Sequence, residues 1–446
     1  MQRSSNAGRL SPRAATIAPV SEDEHMSHEL PQADLVVRNI GQLATLRGDR
    51  PRLGPALRDL GILRQAAVAA DRGRIVYAGL DADLGPSVRT RPDLVEIDAR
   101  GAAVIPGFVD AHTHLAYACD RDDEIRARLA GATYEEISSK GGGIVKTVAA
   151  TRAVSLADLT ALVRARLDRL LSLGTTTAEV KSGYGLSLEA ERTSLQAITA
   201  AAADHPVRVA RTYLGAHEVP LDRRGDREAY INEMIDVAIP EIARLRLAEF
   251  ADVFCERGVF TTDESRRILK AASAAGLALR IHADEFSDQG GAALAAELNA
   301  RSADHLIQVS DEGIAAMARA GVVATLMPAA SFFLKLGKFA PARKMIDAGV
   351  AIALGSDTNP GGGLSSSMPF AMTLACFGMG LSLEEALSAA TIGGATSVGL
   401  EDELGSIEAG KRADLAILHS DRLLDLVRLG ENPVARVIAN GRVIRL

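Results

Sequence analysis

Pro106-Gly-Phe-Val-Asp110-Ala-His112-Thr-His114 is the stretch on which the reading of this chain turns. It is an apolar run that ends in two histidines one residue apart. On an extended strand, residues i and i+2 point to the same side, so both imidazoles can converge on one ion. Outward from this stretch, apolar β-branched runs alternate with longer helical stretches, the pattern of repeated βα units around a parallel sheet. Eight strands are expected. They begin near Val104-Ile105, Thr175-Thr-Thr-Ala-Glu-Val180, Val207-Arg-Val-Ala-Arg-Thr212, Ala251-Asp-Val-Phe254, Leu277-Ala-Leu-Arg-Ile281, Ser302-Ala-Asp-His305, Gly321-Val-Val-Ala-Thr-Leu326 and Val350-Ala-Ile-Ala-Leu354. Thr261-Thr-Asp-Glu264 and Ser382-Leu-Glu-Glu385 have capping-box spacing before helical periodicity. Eight such units indicate a (β/α)8 barrel, and no GxGxxG links a strand to a helix to suggest a dinucleotide.

Flanking this core, short β-rich runs occur at both ends: Asp34-Leu-Val-Val-Arg38, Arg74-Ile-Val-Tyr-Ala78 and Leu94-Val-Glu-Ile-Asp98 early, Ala413-Asp-Leu-Ala-Ile-Leu418 and Val434 to Ile444 late. The two ends are therefore expected to pair into a small β-sandwich-like domain. The division is residues 33–104 and 401–446 for that domain and 105–400 for the barrel. Residues 1–32 read as a disordered extension or an upstream start before Met26, with a transit-like segment as the rarer alternative.

Composition narrows the function. The 446 residues are 47% hydrophobic and 24% charged, which suits a packed enzyme. A formal net charge of −7 gives no broad basic field, so nucleic acid and anionic membrane surfaces are not expected partners; a small molecule is. No apolar run approaches the roughly 18 residues of a membrane-spanning helix. Three scattered cysteines, Cys119, Cys255 and Cys376, make neither a disulfide framework nor a zinc knuckle and suit a reducing, cytoplasmic setting.

Active sites of such barrels lie at the C-terminal ends of the strands. There the sequence places His112 and His114, His282 in Arg280-Ile-His-Ala-Asp-Glu285, Asp304-His305, and Gly355-Ser-Asp357. Three imidazoles and a carboxylate, His112, His114, His282 and Asp357, suit one Zn2+ or Fe2+/Fe3+ per subunit and leave room for a water. A divalent cation can lower the pKa of that water to about 7. Any one of these histidines alone would more often be structural.

The Pro106–His114 stretch, Gly355-Ser-Asp357 and the closing Gly410-Lys-Arg-Ala-Asp-Leu415 together resemble the amidohydrolase superfamily. Within it, four further stretches resemble the imidazolonepropionase family: Asp120-Arg-Asp-Asp-Glu124 with Gly131-Ala-Thr-Tyr-Glu-Glu-Ile137 and Gly141-Gly-Gly-Ile144; Glu179-Val-Lys-Ser-Gly-Tyr-Gly-Leu186; Phe254-Cys-Glu-Arg-Gly-Val-Phe260; and Asp357-Thr-Asn-Pro-Gly361. The resemblance implies hydrolytic ring opening of 4-imidazolone-5-propanoate to N-formimidoyl-L-glutamate, in a homodimer. It implies substrate contacts from Arg121, Tyr184, His217, Glu285, Asn359, Gly361 and Gly362. A guanidinium and a phenol suit a carboxylate, and an imidazole can hold a ring oxygen or nitrogen. Asp357 would act as base, His305 would stabilise the oxyanion, and Glu285 would pass a proton to the leaving nitrogen.

The chain departs from the family pattern at Thr358, where an aromatic is usual, and at Gly362-Gly363, where a small hydroxyl residue is usual. Lys181 could alternatively be a carbamylated lysine bridging two metals, but its motif favours one metal. Rival readings are a hydantoinase or guanine deaminase type of enzyme and a barrel that has lost catalysis. His25, His28, His205 and His419 read as surface or core histidines, and Cys119 and Cys255 as inert.

Overall fold

The computed structural model describes residues 30–132 and 142–444. Most of the 1–32 extension, His25, His28 and the stretch from Thr133 to Gly141 lie outside the described residues.

The first strand, β1 (Gln32–Ala44), organises a mixed sheet. One edge pairs antiparallel with β2 (Ile62–Asp71), which continues into β3 (Arg74–Leu80). Its other edge is shared: β4 (Arg89–Asp98) pairs with the first half and β5 (Ala103–Pro106) with the end, both parallel. β5 then meets β14 (Leu415–Leu418), followed by β15 (Val434–Ala439) and β16 (Arg442–Ile444). The two chain ends thus share one sheet. Its apolar layer, including Leu35, Ile40, Val104, Leu415 and Ile438, is buried apart from the main core.

The sequence reading is corrected at one junction. Val104-Ile105 does not begin the barrel: it lies in β5, with Val104 opposite Ile417 and Ile105 opposite Ala416. The barrel begins two residues beyond β5, at β6 (Phe108–Thr113). Gly107 makes the step possible, since a Cβ there would stand 2.2 Å from the Thr176 hydroxyl oxygen. An apolar run can serve either sheet, so the sequence pattern did not separate β5 from β6.

From β6 the parallel ladder continues through β7 (Thr175–Lys181), β8 (Arg208–Ala216), β9 (Phe250–Cys255), β10 (Ala278–Ala283), β11 (Ser302–His305), β12 (Val323–Leu326) and β13 (Ile352–Leu354). The strands are short and almost wholly buried on both faces, as helices outside and side chains inside require. Both capping boxes form: Thr261 and Glu264 cap Thr262–Ala274, and Ser382 and Glu385 cap Leu383–Ser388. The ring closes just beyond β13. The Asp357 N–H donates to the His112 carbonyl at 3.0 Å, and the His114 N–H donates to the Thr358 carbonyl at 2.9 Å. Closure therefore falls on the residues read as metal donors. No helix among the described residues is long and apolar enough to cross a membrane.

Candidate active site

Strand ends gather the donors. His112 and His114 project from β6, with their Nε2 atoms 3.2 Å apart, and His282 Nε2 from β10 lies 3.3 Å from His114 Nε2. Asp357 Oδ1 stands 3.7 Å from His112 Nε2 and 3.5 Å from His114 Nε2. A tetrahedron with metal–nitrogen bonds of about 2.0–2.1 Å has edges of about 3.3–3.4 Å, so these spacings fit one ion. The chemistry fits as well. His112 Nδ1 contacts the Asp304 carboxylate at 2.6 Å, which puts the proton on Nδ1 and leaves a bare lone pair on Nε2. Burial, with Lys181 next for His112 and His217 next for His114, holds both imidazoles well below the usual histidine range, so both are neutral, the form that a metal ion takes.

Close by, His305 is buried in the same group, its ring 5.4 Å from that of His112 and 5.3 Å from that of His282. Its Nδ1 is 3.6 Å from Glu285 Oε1. Burial, and then the neighbouring Asp357 and Glu256, push the Glu285 carboxyl well above the carboxylate range. Burial raises Asp357 to about 7. His305 (φ 74°) and Asp357 (φ 51°) both hold left-handed backbone, a strain that persists where surrounding structure fixes it.

The residues read as substrate contacts form a continuous wall. The Arg121 guanidinium lies 6.0 Å from the Tyr184 ring centroid, Tyr184 lies 5.2 Å from His217, and His217 stacks on His114. Arg121 is buried, and its Nε donates to Thr147 at 2.8 Å. His217 Nδ1 contacts the Gly183 carbonyl at 2.9 Å. The Asn359 side chain is committed to its own loop: it donates to the Asp357 carbonyl and accepts from the Gly361 and Gly362 N–H groups. Gly361 presses on Arg121, where a Cβ would come within 2.4 Å of Nη1. Gly363 is demanded by space, because a Cβ there would lie 1.5 Å from the Asp357 carbonyl oxygen. Thr358 turns its hydroxyl into a buried cluster with Ser356 and the Ser365 carbonyl.

Beneath the donors lie charged groups that the sequence left without a role, apart from the metal-bridging alternative weighed for Lys181. Arg280 donates to Asp304 at 3.0 Å, Lys181 contacts Glu179 at 2.8 Å and Asp252 at 2.9 Å, and Asp110 accepts from the Ser356 N–H and hydroxyl. The available signal was charge at alternate positions of apolar strands, as in Glu179/Lys181 and Arg280/His282. Outside the site, His205 contacts Asp168 and accepts from the Val207 N–H, a structural role, and burial keeps the Cys255 thiol raised.

Barrel and donor set together define a metal-dependent hydrolase. The amidohydrolase family model matches residues 103–444. Imidazolonepropionase of Symbiobacterium thermophilum is 51% identical over 413 residues, covering 92% of this chain and 97% of its own, and that of Geobacillus kaustophilus is 47% identical with the same coverage. The chain belongs to the imidazolonepropionase family of amidohydrolases. Guanine deaminase of E. coli shares the fold at TM-score 0.71 and 17% identity, covering 92% of this chain and 99% of its own. Atrazine chlorohydrolase of Arthrobacter aurescens TC1, complexed with zinc, does so at 0.68 and 19%, covering 92% and 94%.

Proposed function

We propose that the protein hydrolyses 4-imidazolone-5-propanoate to N-formimidoyl-L-glutamate, a step of histidine degradation. The observation that carries this reading is the buried wall from Arg121 through Tyr184 and His217 to the metal donors. Its guanidinium end suits a propionate arm, and its imidazole end suits a lactam ring.

When bound, one Zn2+ or Fe2+/Fe3+ held by His112, His114, His282 and Asp357 supplies Lewis acidity toward the lactam carbonyl and acidifies water. Arg121 would anchor the propionate, with Thr147 fixing its Nε. His217, with Nδ1–H donating to Gly183, keeps Nε2 as an acceptor for a ring N–H. Asp357 would take a proton from the attacking water. His305 would hydrogen-bond the oxygen on which charge develops. The buried Glu285 carboxyl, holding a proton, would give it to the ring nitrogen as the carbon–nitrogen bond breaks. Water thus leaves O–H on the carbonyl carbon, as the new carboxyl group, and one proton on the freed nitrogen, and passage of the proton from Asp357 to Glu285 would restore both side chains.

The test is product analysis by mass spectrometry with zinc-loaded protein offered 4-imidazolone-5-propanoate, a hydantoin and guanine in parallel. N-formimidoyl-L-glutamate from the first alone supports the reading. Conversion of the hydantoin or guanine, with the imidazolone untouched, overturns it.

A further inference from the structure

Under the metal donors, Lys181, Arg280, Glu179, Asp252 and Asp304 have fully buried side chains. Two cations face three carboxylates, so the group carries one excess negative charge directly beneath a dication site. Burial of this many charges is costly unless each is paired, and here each is.

The shortest pairings follow two lines, joined by longer contacts from Lys181 Nζ to Asp304 Oδ2 at 3.8 Å and from Arg280 Nε to Glu179 Oε1 at 3.9 Å. In one, Arg280 Nη2 donates to Asp304 Oδ2 at 3.0 Å, and the same oxygen lies 2.6 Å from His112 Nδ1. In the other, Lys181 Nζ lies 2.9 Å from Asp252 Oδ2, which stands 3.0 Å from His282 Nδ1. That last contact is short but lies off the line of a directed hydrogen bond, so Asp252 bears on the ring by position. Asp252 is itself fixed, because its Oδ1 accepts the His282 backbone N–H at 3.1 Å. His114 differs: its Nδ1 has no hydrogen-bond partner among the described residues, and its ring rests on His217.

We propose that Lys181 and Arg280 are positioning residues for the metal site, each acting through one carboxylate on one donor imidazole: Lys181 through Asp252 on His282, and Arg280 through Asp304 on His112. Carbamylation of Lys181 is excluded by the same arrangement. A carbamate would bring a further negative charge against Glu179 and Asp252, whereas an ammonium neutralises them. The inference rests on the metal reading above and deepens it.

Zn2+ affinity, measured by chelator competition on metal-stripped full-length protein, tests this with Lys181→Met, Asp252→Asn and the double variant; thermal melting of the metal-free forms reports folding. Each single variant is expected to lose about 10- to 100-fold in affinity, the usual effect of removing a group that orients a ligand. The double variant should lie within about twofold of Asp252→Asn, because the lysine acts through that carboxylate. Folded Lys181→Met with wild-type affinity overturns the proposal. Should that variant not fold, Lys181→Gln and Lys181→Arg replace it: a folded Gln variant with wild-type affinity overturns the proposal, and a loss with Gln that Arg restores supports it. Wild type that binds no Zn2+ would instead sink the metal reading, and this proposal with it.

Discussion

The imidazole of His217 lies against that of His114, ring centroids 5.1 Å apart and planes 19° from parallel. Burial, with His282 adding to it, lowers the His217 pKa to about 3, so the ring is neutral at any working pH. With Nδ1–H donating to Gly183, the lone pair sits on Nε2. His217→Phe keeps a flat ring on His114 and removes that acceptor. Its kcat/KM should fall about 10- to 100-fold, the equivalent of one lost hydrogen bond in a buried site, with Zn2+ content unchanged. Steady-state kinetics beside metal analysis checks this, and a variant that loses zinc as well would assign His217 to holding the ion.

Glu191 shapes the loop that carries Tyr184. Its carboxylate accepts the backbone N–H of Gly183 at 2.8 Å, Gly185 at 2.7 Å and Leu186 at 2.8 Å. Glutamine would turn an NH2 toward some of these donors. Glu191→Gln should raise KM about tenfold with kcat changed less than about threefold, since the loop binds substrate and takes no part in bond breaking. A fall in kcat at constant KM would contradict that division.

Arg121 has little freedom, held by Thr147 on one side and pressed by Gly361 on another. A lysine supplies charge but no fork to grip a carboxylate. Arg121→Lys should lose at least about tenfold in kcat/KM, mostly through KM. Gly361→Ala, which crowds Nη1, should act in the same direction. Both are read from saturation curves, and a lysine variant with wild-type KM would remove Arg121 from the substrate site.

Glu385 ties the two ends of the fold together. It caps its own helix and takes Arg58, from the connection between β1 and β2, at 3.0 Å and Arg343 at 3.0 Å. Burial alone would raise its carboxyl, but Arg343, the Ser382 N–H and Arg58 outweigh it and hold the pKa at about 2. A carboxylate depressed in the folded state stabilises fully above its unfolded pKa of about 4.5 and loses that stability as pH falls toward 2. Glu385→Gln should cost about 1–2 kcal/mol at pH 7, since the half-exposed Arg58 and Arg343 screen part of the charge effect. The difference should shrink below pH 4.5. Thermal melts of both proteins across that range measure it, and a pH-independent gap would show that packing, not charge, is lost.

The barrel and the grouping of the candidate metal donors were legible because strand period and strand end are local features: His112 and His114 share a face by spacing alone, and His282 and Asp357 close apolar runs. The β5–β6 junction was not, because Val104-Ile-Pro-Gly-Phe-Val109 is apolar throughout and only Gly107 against Thr176 tells where one sheet hands over to the other. Asp252 and Asp304 were hidden for another reason. A carboxylate inside a strand announces burial and a partner, but its partners Lys181 and Arg280 sit on other strands, and only the closed ring brings them together. Asn359 illustrates the opposite case, a residue marked by its motif whose side chain turns out to build the loop.

The central claim is tested most directly by the rate at which freshly generated 4-imidazolone-5-propanoate loses its ultraviolet absorbance, with zinc-loaded wild type beside His114→Ala. Rapid loss is expected with wild type and none above background with the variant, whose remaining donors cannot close the site. Wild type that is fully metallated and leaves the absorbance unchanged would contradict it.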